Sequence, residues 1–240
     1  MSEAPKRVTK RRVLLFGRGS HQWEESCPIL RRYLKTIPGY EVDYVKEDLD
    51  VFTAERIEPY NLIVLFNTGG QLTVEQKRGL VEGVAAGKGF VGCHGAADSF
   101  RASPEYLAMI GGEFQRHPAT REFIVSLTDN KHPVTKDIKG YEVKDWEPWP
   151  IFEYKVYDEQ YLLDSDPRVH VLATTTFRGS LWPVAWVKPW GQGKVFYTIL
   201  GHHPGVVREE FFKQLFIGGA KWAGGKQPYR KPKTDRYDII

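Results

Sequence analysis

From residue 12 the chain alternates short apolar runs with amphipathic stretches, the pattern of a mostly parallel sheet covered by helices and so of an α/β fold. RVLLFG (12–17) predicts a first strand and EVDYVKE (41–47) a second, with a helix over 26–35 between them. NLIVLFN (61–67) is apolar without alternation, as suits a strand buried on both faces, and it runs into TGGQL. Thr73 then stands as an N-cap for TVEQKRGLVEGVAAG, where Val74, Leu80, Val81 and Val84 form an apolar stripe. GFVGC (89–93) predicts a fourth strand opening into HGAADSF, and a helix over 104–110 stops at Gly111 and Gly112.

The second half changes character. REFIVSLTD (121–129), YEVKDWE (141–147), IFEYKVYD (151–158), VHVLATTTF (169–177), PVAWVK (183–188) and KVFYTIL (194–200) are all strand-like, and PWGQG reads as a hairpin turn between the last two. One final helix over 206–223 places Phe211, Phe212, Leu215, Phe216 and Trp222 at helical spacing, which reads as core packing. No linker or repeat divides the chain, so we expect one domain over 12–225 between tails at 1–11 and 226–240.

Charge sharpens that division. The 240 residues carry a formal net charge of +4, a sign that invites a polyanionic partner. Yet residues 1–12 and 221–240 are each +4, so the body between them is −4. The basic balance belongs to the tails, and no specific nucleic-acid partner is expected. No apolar run approaches the ~20 residues of a membrane span, and the five-residue run after the basic start is shorter than the ~7–15 residues of a secretory signal. We therefore expect a cytoplasmic protein without membrane association, which its two cysteines, Cys27 and Cys93, also suit.

In a parallel sheet, ligands collect at the carboxyl ends of the strands. There the sequence puts His21, then Asn67, Thr68, Gly69 and Gly70, then His94 through Ser99, then His202 and His203; His117 follows GGEFQR. A single such histidine is most simply a capping or core residue. Several at one edge point either to a divalent transition metal, zinc or similar, or to general acid–base work. Strand, sharp turn and helix start in GFVGCHGAADSF present one side chain at an elbow, either Cys93 or His94. Cys93 continues the apolar run and reads as the last buried strand residue; His94 begins the polar one. Asp98 shares a face with His94 if a helix starts there, and is otherwise a first-turn cap. Around 141–153, Glu142, Asp145, Glu147 and Glu153 alternate with aromatics, either a solvated strand or a sugar-binding surface. No Gly-rich nucleotide motif follows a strand, so no nucleotide cofactor is expected.

Taken together, GFVGCHGAADSF, GGEFQRHP, DNKHPVTKDI, YEVKDWE, PVAWVKPWGQGKVFYTILGHHP and FIGGAKWAGG resemble the ThuA-like (trehalose utilisation) family, over residues 13–225. The resemblance implies a flavodoxin-like three-layer sandwich of the class I glutamine amidotransferase-like type. His94 stands where amidotransferases carry a catalytic cysteine, which argues against glutamine hydrolysis. It further implies processing of a 3-keto-glycoside or similar trehalose-type sugar, supplied by a sugar oxidoreductase. The residues it singles out as catalytic are His94, Asp98, His117, Glu142 and Asp145, either Asp145 or Glu147 taking the place of the family's glutamate. His21, His94 and His202 are the expected metal ligands; Asn67, Gly69, Ser99, Glu147, Arg178 and Trp182 are the expected sugar contacts. The competing expectations are a non-catalytic sugar-binding or regulatory module and a cysteine-dependent hydrolase using Cys93.

Overall fold

The computed structural model describes residues 9–142, 150–226 and 229. Thirteen strands and six α-helices are described among them. β1 (Arg11–Arg18), β2 (Tyr40–Lys46), β3 (Leu62–Asn67) and β4 (Gly89–Cys93) alternate with α1 (Trp23–Lys35), α2 (Ala54–Ile57) and α3 (Val74–Ala85). α4 (Pro104–Ile110), β5 (Gly112–Arg116), β6 (Arg121–Leu127), β7 (Tyr141–Glu142), β8 (Pro150–Ile151), β9 (Glu153–Asp158) and β10 (Leu162–Ser165) follow. β11 (His170–Phe177), β12 (Ser180–Trp190), β13 (Gly193–Thr198), α5 (Pro204–Arg208) and α6 (Glu210–Ala223) complete the order.

The main sheet has nine strands in the order β2-β1-β3-β4-β13-β12-β11-β6-β9. Its first five strands are parallel, and every pairing from β13 to β9 is antiparallel. Parallel pairing therefore covers half of the sheet rather than most of it. The half predicted from uninterrupted apolar runs is the parallel one: Val13 to Phe16 in β1 and Leu62 to Leu65 in β3 are completely buried. Thr73 caps α3 as expected, its hydroxyl accepting from Gln76 N–H while the Gln76 side chain accepts from Thr73 N–H.

Three elements differ from the sequence pattern. The final helix is two, broken at Glu209, whose backbone is extended (ψ 138°). GGEFQR forms β5, which pairs with β10 in a separate two-stranded sheet. The segment after β4 is a 3-10 helix (His94–Asp98) rather than the start of an α-helix, so Asp98 does not lie one α-turn above His94. No helix among the described residues is long and apolar enough to cross a membrane.

Alternation in the antiparallel half positions the site. β9 and β11 run in the same direction as the parallel strands, so their carboxyl ends reach the same sheet edge, while β6 and β12 begin there. Segments ending or starting at 117–121, 158–161 and 177–182 thus join the loops after β1, β3, β4 and β13.

Candidate functional site

His94 occupies the elbow after β4. It is completely buried, yet its φ is +44°, a left-handed conformation unusual for a residue with a side chain. The elbow is tight: a Cβ on Gly95 would run into the Thr68 hydroxyl and lie 2.7 Å from the Asn67 carbonyl. His21 is likewise left-handed, at φ +65°. His202 follows Gly201, whose φ of +122° suits glycine, and both their N–H groups donate to the Asp158 carboxylate at 2.8 and 3.1 Å.

These three loops bring three imidazoles together. His21 Nδ1 lies 3.0 Å from His202 Nδ1, which lies 3.4 Å from His94 Nε2. A fourth group enters from the end of β9: Glu159 Oε2 is 3.3 Å from His94 Nε2 and 3.2 Å from His202 Nδ1. One ligand-type atom from each of the four residues lies within 4.8 Å of all the others. The other Glu159 oxygen, Oε1, lies 3.1 Å from His117 Nδ1, which donates to the Pro118 carbonyl at 2.8 Å. His94 Nδ1 donates to the Ile199 carbonyl at 2.6 Å, which leaves its Nε2 facing the cluster. Tyr161, 2% exposed, lays its ring against that of His94 (3.9 Å between centroids) and its hydroxyl 3.4 Å from His21 Nε2.

The electrostatics follow from crowding. Burial, with the neighbouring His94 and His202, lowers the His21 pKa to about 3, so this ring is neutral. Burial raises the Glu159 carboxyl, but the His202 and His94 rings beside it, 3.2 and 3.3 Å from Oε2, outweigh it and hold the group well below the ordinary carboxylate range. His202 is raised by its hydrogen bond to Glu159. The Asp158 carboxyl is pushed up by burial, against the pull of His94 and the Gly201 N–H.

Of the residues singled out in the sequence, the structure gathers His21, His94, His202 and His117. Asp98 stands beside them; its carboxylate pairs with Arg101 at 3.3 Å, and burial raises its pKa. Asn67, Gly69 and Ser99, expected as sugar contacts, instead brace two loops. Asn67 Nδ2 donates to Ser99 Oγ (2.8 Å) and to Gly69 O (3.0 Å), and Gly69 N–H donates to Asp98 O (3.0 Å). Both Asn67 (2% exposed) and Ser99 (0%) are buried. Arg178 sits exposed on the β11–β12 turn with its guanidinium beside the Phe177 ring. Trp182, on β12, keeps a buried indole N–H with no hydrogen-bond partner among the described residues. The Glu142 backbone forms β7, while Asp145 and Glu147 lie outside the described residues. Cys93 is 1% exposed at the end of β4, and burial drives its thiol pKa far up, the opposite of an activated nucleophile. The sequence pattern does not single out Glu159 and Tyr161, which follow the antiparallel edge strand β9; the usable signal is the acidic pair Asp158-Glu159 ending an aromatic-rich strand.

A cavity of about 860 Å³ opens at the other end of the sheet, bordered by Arg11, Lys88, Lys194 and Lys226, remote from this chemistry.

Fold and cluster together define an α/β protein with an imidazole- and carboxylate-lined site at the carboxyl edge of its sheet. Residues 12–223 match the family model of ThuA, described as trehalose utilisation. The chain belongs to the ThuA family. A ThuA-like protein of Parabacteroides merdae superposes with a TM-score of 0.75 at 21% identity, covering 95% of this chain and 94% of that one. A second, from Bacteroides uniformis, gives 0.72 at 18% identity over 93% and 95%. A cytoplasmic protein of Salmonella typhimurium gives 0.62 at 13% identity over 88% and 99%. These likenesses concern the fold, and no curated protein matches the chain.

Proposed function

We propose that this chain is a cytoplasmic carbohydrate-processing enzyme acting on a 3-keto-glycoside or related trehalose-type disaccharide. Membership of a family described by trehalose utilisation supports a role in sugar metabolism. The observation that carries the enzymatic reading is the convergence of His21, His94, His202, Glu159 and His117 at one edge of the sheet, where His21 and His94 hold left-handed backbone. The parallel order β2-β1-β3-β4-β13, with α1 contacting α5 and α6 while α3 contacts α2 and α4, supports reading the frame as a flavodoxin-like three-layer sandwich.

The chemistry requires two parts. A ketone at C3 acidifies the C2–H bond, so a base removes that proton while an electrophile steadies the enolate oxygen. Breaking the C1–O bond then releases the second sugar, whose oxygen takes up a proton; returning the proton to carbon instead isomerises the substrate. His117 suits the base: its Nδ1 proton goes to Pro118 O, beside Glu159 Oε1, which leaves the lone pair on Nε2. The His21, His94 and His202 group suits the electrophile, and Asp98, whose carboxylate feels His94, suits proton exchange. A C3 ketone demands a prior oxidation, so the partner reaction is a sugar oxidoreductase acting upstream.

Purified chain incubated with 3-keto-trehalose and with trehalose is expected to consume only the keto sugar, with His117→Ala losing ~10²-fold or more in rate. Cys93→Ala is expected to retain turnover. Keto sugar recovered unchanged, with and without added divalent metal, overturns the reading; if it binds without turnover, the chain is a sugar-binding module.

A further inference from the structure

We propose that His21 Nδ1, His94 Nε2, His202 Nδ1 and Glu159 Oε2 bind one divalent first-row transition ion, with Tyr161 and the Ile199 carbonyl as the partners that orient two of the rings. The proposal concerns ion binding and stands whether or not the sugar reading does.

The distances carry the argument. An ion bound tetrahedrally at ~2.0–2.1 Å by nitrogen and oxygen has its ligand atoms ~3.3–3.4 Å apart. Four of the six pairs here are separated by 3.0, 3.2, 3.3 and 3.4 Å. The two remaining pairs, both involving His21, are no wider than 4.8 Å. Three imidazoles and one carboxylate are the donors that zinc, iron, cobalt or nickel prefer; magnesium and calcium take oxygen ligands.

Proton counting points the same way. His94 spends its one neutral-state proton on Ile199, so its Nε2 and Glu159 Oε2 meet lone pair to lone pair at 3.3 Å. Protonating the rings instead would set imidazolium ions side by side: the three ring centroids are 4.6, 4.9 and 5.2 Å apart, with one carboxylate between them. A single cation among the four atoms satisfies all of them at once. The surroundings match what ligating histidines use, since two of the three rings are oriented through their other nitrogen. His94 Nδ1 is held by Ile199 O, and His21 Nε2 faces the Tyr161 hydroxyl. Asp158 fixes the loop that carries His202.

The test is metal content of the full chain by elemental analysis, followed by calorimetric titration of the chelator-treated protein with Zn²⁺, and with Mg²⁺ as the contrast. About one Zn²⁺ per chain is expected, with Mg²⁺ binding weaker by several orders of magnitude. His202→Ala and Glu159→Gln should each weaken Zn²⁺ binding by ~100-fold or more. Tyr161→Phe should weaken it by roughly the 10-fold typical of an outer partner. His203→Asn, beside the site but capping α5, should leave it unchanged. Near-UV circular dichroism checks that each variant is folded, and Glu159→Gln, which preserves shape, decides the matter if His202→Ala is not. A folded chain that takes up no Zn²⁺, Mn²⁺, Fe²⁺, Co²⁺ or Ni²⁺ overturns the proposal. So does Zn²⁺ binding that neither Glu159→Gln nor His202→Ala alters. Keto sugar untouched by Zn²⁺-loaded protein overturns only the sugar reading, and a chain that turns over the keto sugar yet binds no such ion overturns only this one.

Discussion

Two groups of histidines with carboxylates lie in this molecule, and they are built on opposite rules. At the carboxyl edge of the sheet, three rings aim a nitrogen at a common point, and Glu159 presents an oxygen there too. In the second group, on the 129–135 loop and β11, every partner is spoken for. His170 Nε2 bonds Asp129 Oδ2 at 2.8 Å, and His132 Nδ1 accepts the Val134 N–H at 3.2 Å. Asp129 Oδ1 accepts from the N–H groups of Lys131 and His132. A histidine tied through one nitrogen to a partner of its own is holding the fold together. Histidines whose nitrogens crowd one another are arranged for something that sits between them or reacts with them.

The comparison breaks most visibly in catalysis. His94→Asn is expected to cost ~10³-fold in kcat/KM on the keto sugar, because it removes a group at the convergence point. His170→Asn should stay within about a factor of three of the parent. Equal losses in the two variants, measured at one temperature on folded protein, would erase the distinction between the groups.

The second group should answer in stability. Asp129→Ala strands two backbone donors and the His170 ring, and an unsatisfied group of this kind costs ~1–3 kcal/mol. We expect about 2 kcal/mol lost in urea unfolding with turnover intact. A stability change under about 0.5 kcal/mol would mean that solvent replaces those bonds and that Asp129 braces nothing.

The difference between the groups was only half legible in the sequence. The parallel strands are apolar without alternation, so their ends, and with them His21, His94 and His202, followed from general topology. Glu159 did not, because β9 is an antiparallel edge strand, and its end reaches the same edge only because two reversals separate it from β11 and four from β13 in the sheet order. The chain must then cross back over the edge to put Tyr161 on His94, which no local pattern encodes. Asn67 Nδ2 and Ser99 Oγ show the converse: polar groups in the right loops, yet bonded to one another, while Asn67 Oδ1 lies buried with no partner among the described residues. Composition predicts polar atoms at an edge, but only geometry distinguishes those that are satisfied from those that are waiting. The break at Glu209 is a third case, since the residues on both sides have ordinary helical spacing and nothing in the periodicity marks an extended residue between them.

The smallest expected effect concerns His132, which is 7% exposed and faces Asp129, His170 and the Trp222 ring. Burial lowers its pKa from the usual 6.5 to about 4, Asp129 opposing and His170 adding to the shift. Between those values the unfolded chain takes up a proton that the folded chain refuses, so stability falls as pH drops from 6.5 toward 4 and is flat above 6.5 as far as this ring is concerned. Because the ring keeps some access to solvent, the total is on the order of 1–2 kcal/mol rather than the ~1.4 kcal/mol per unit of the full shift. His132→Asn retains an acceptor for Val134 N–H without the titration. Urea unfolding of both proteins at pH 7, 6 and 5 should give a shallower decline for the variant. The difference between the two slopes isolates His132, since buried His21 also resists protonation in both proteins. Parallel slopes would show that the second group, too, is blind to pH in this range, and that its histidines are satisfied even more completely than their hydrogen bonds suggest.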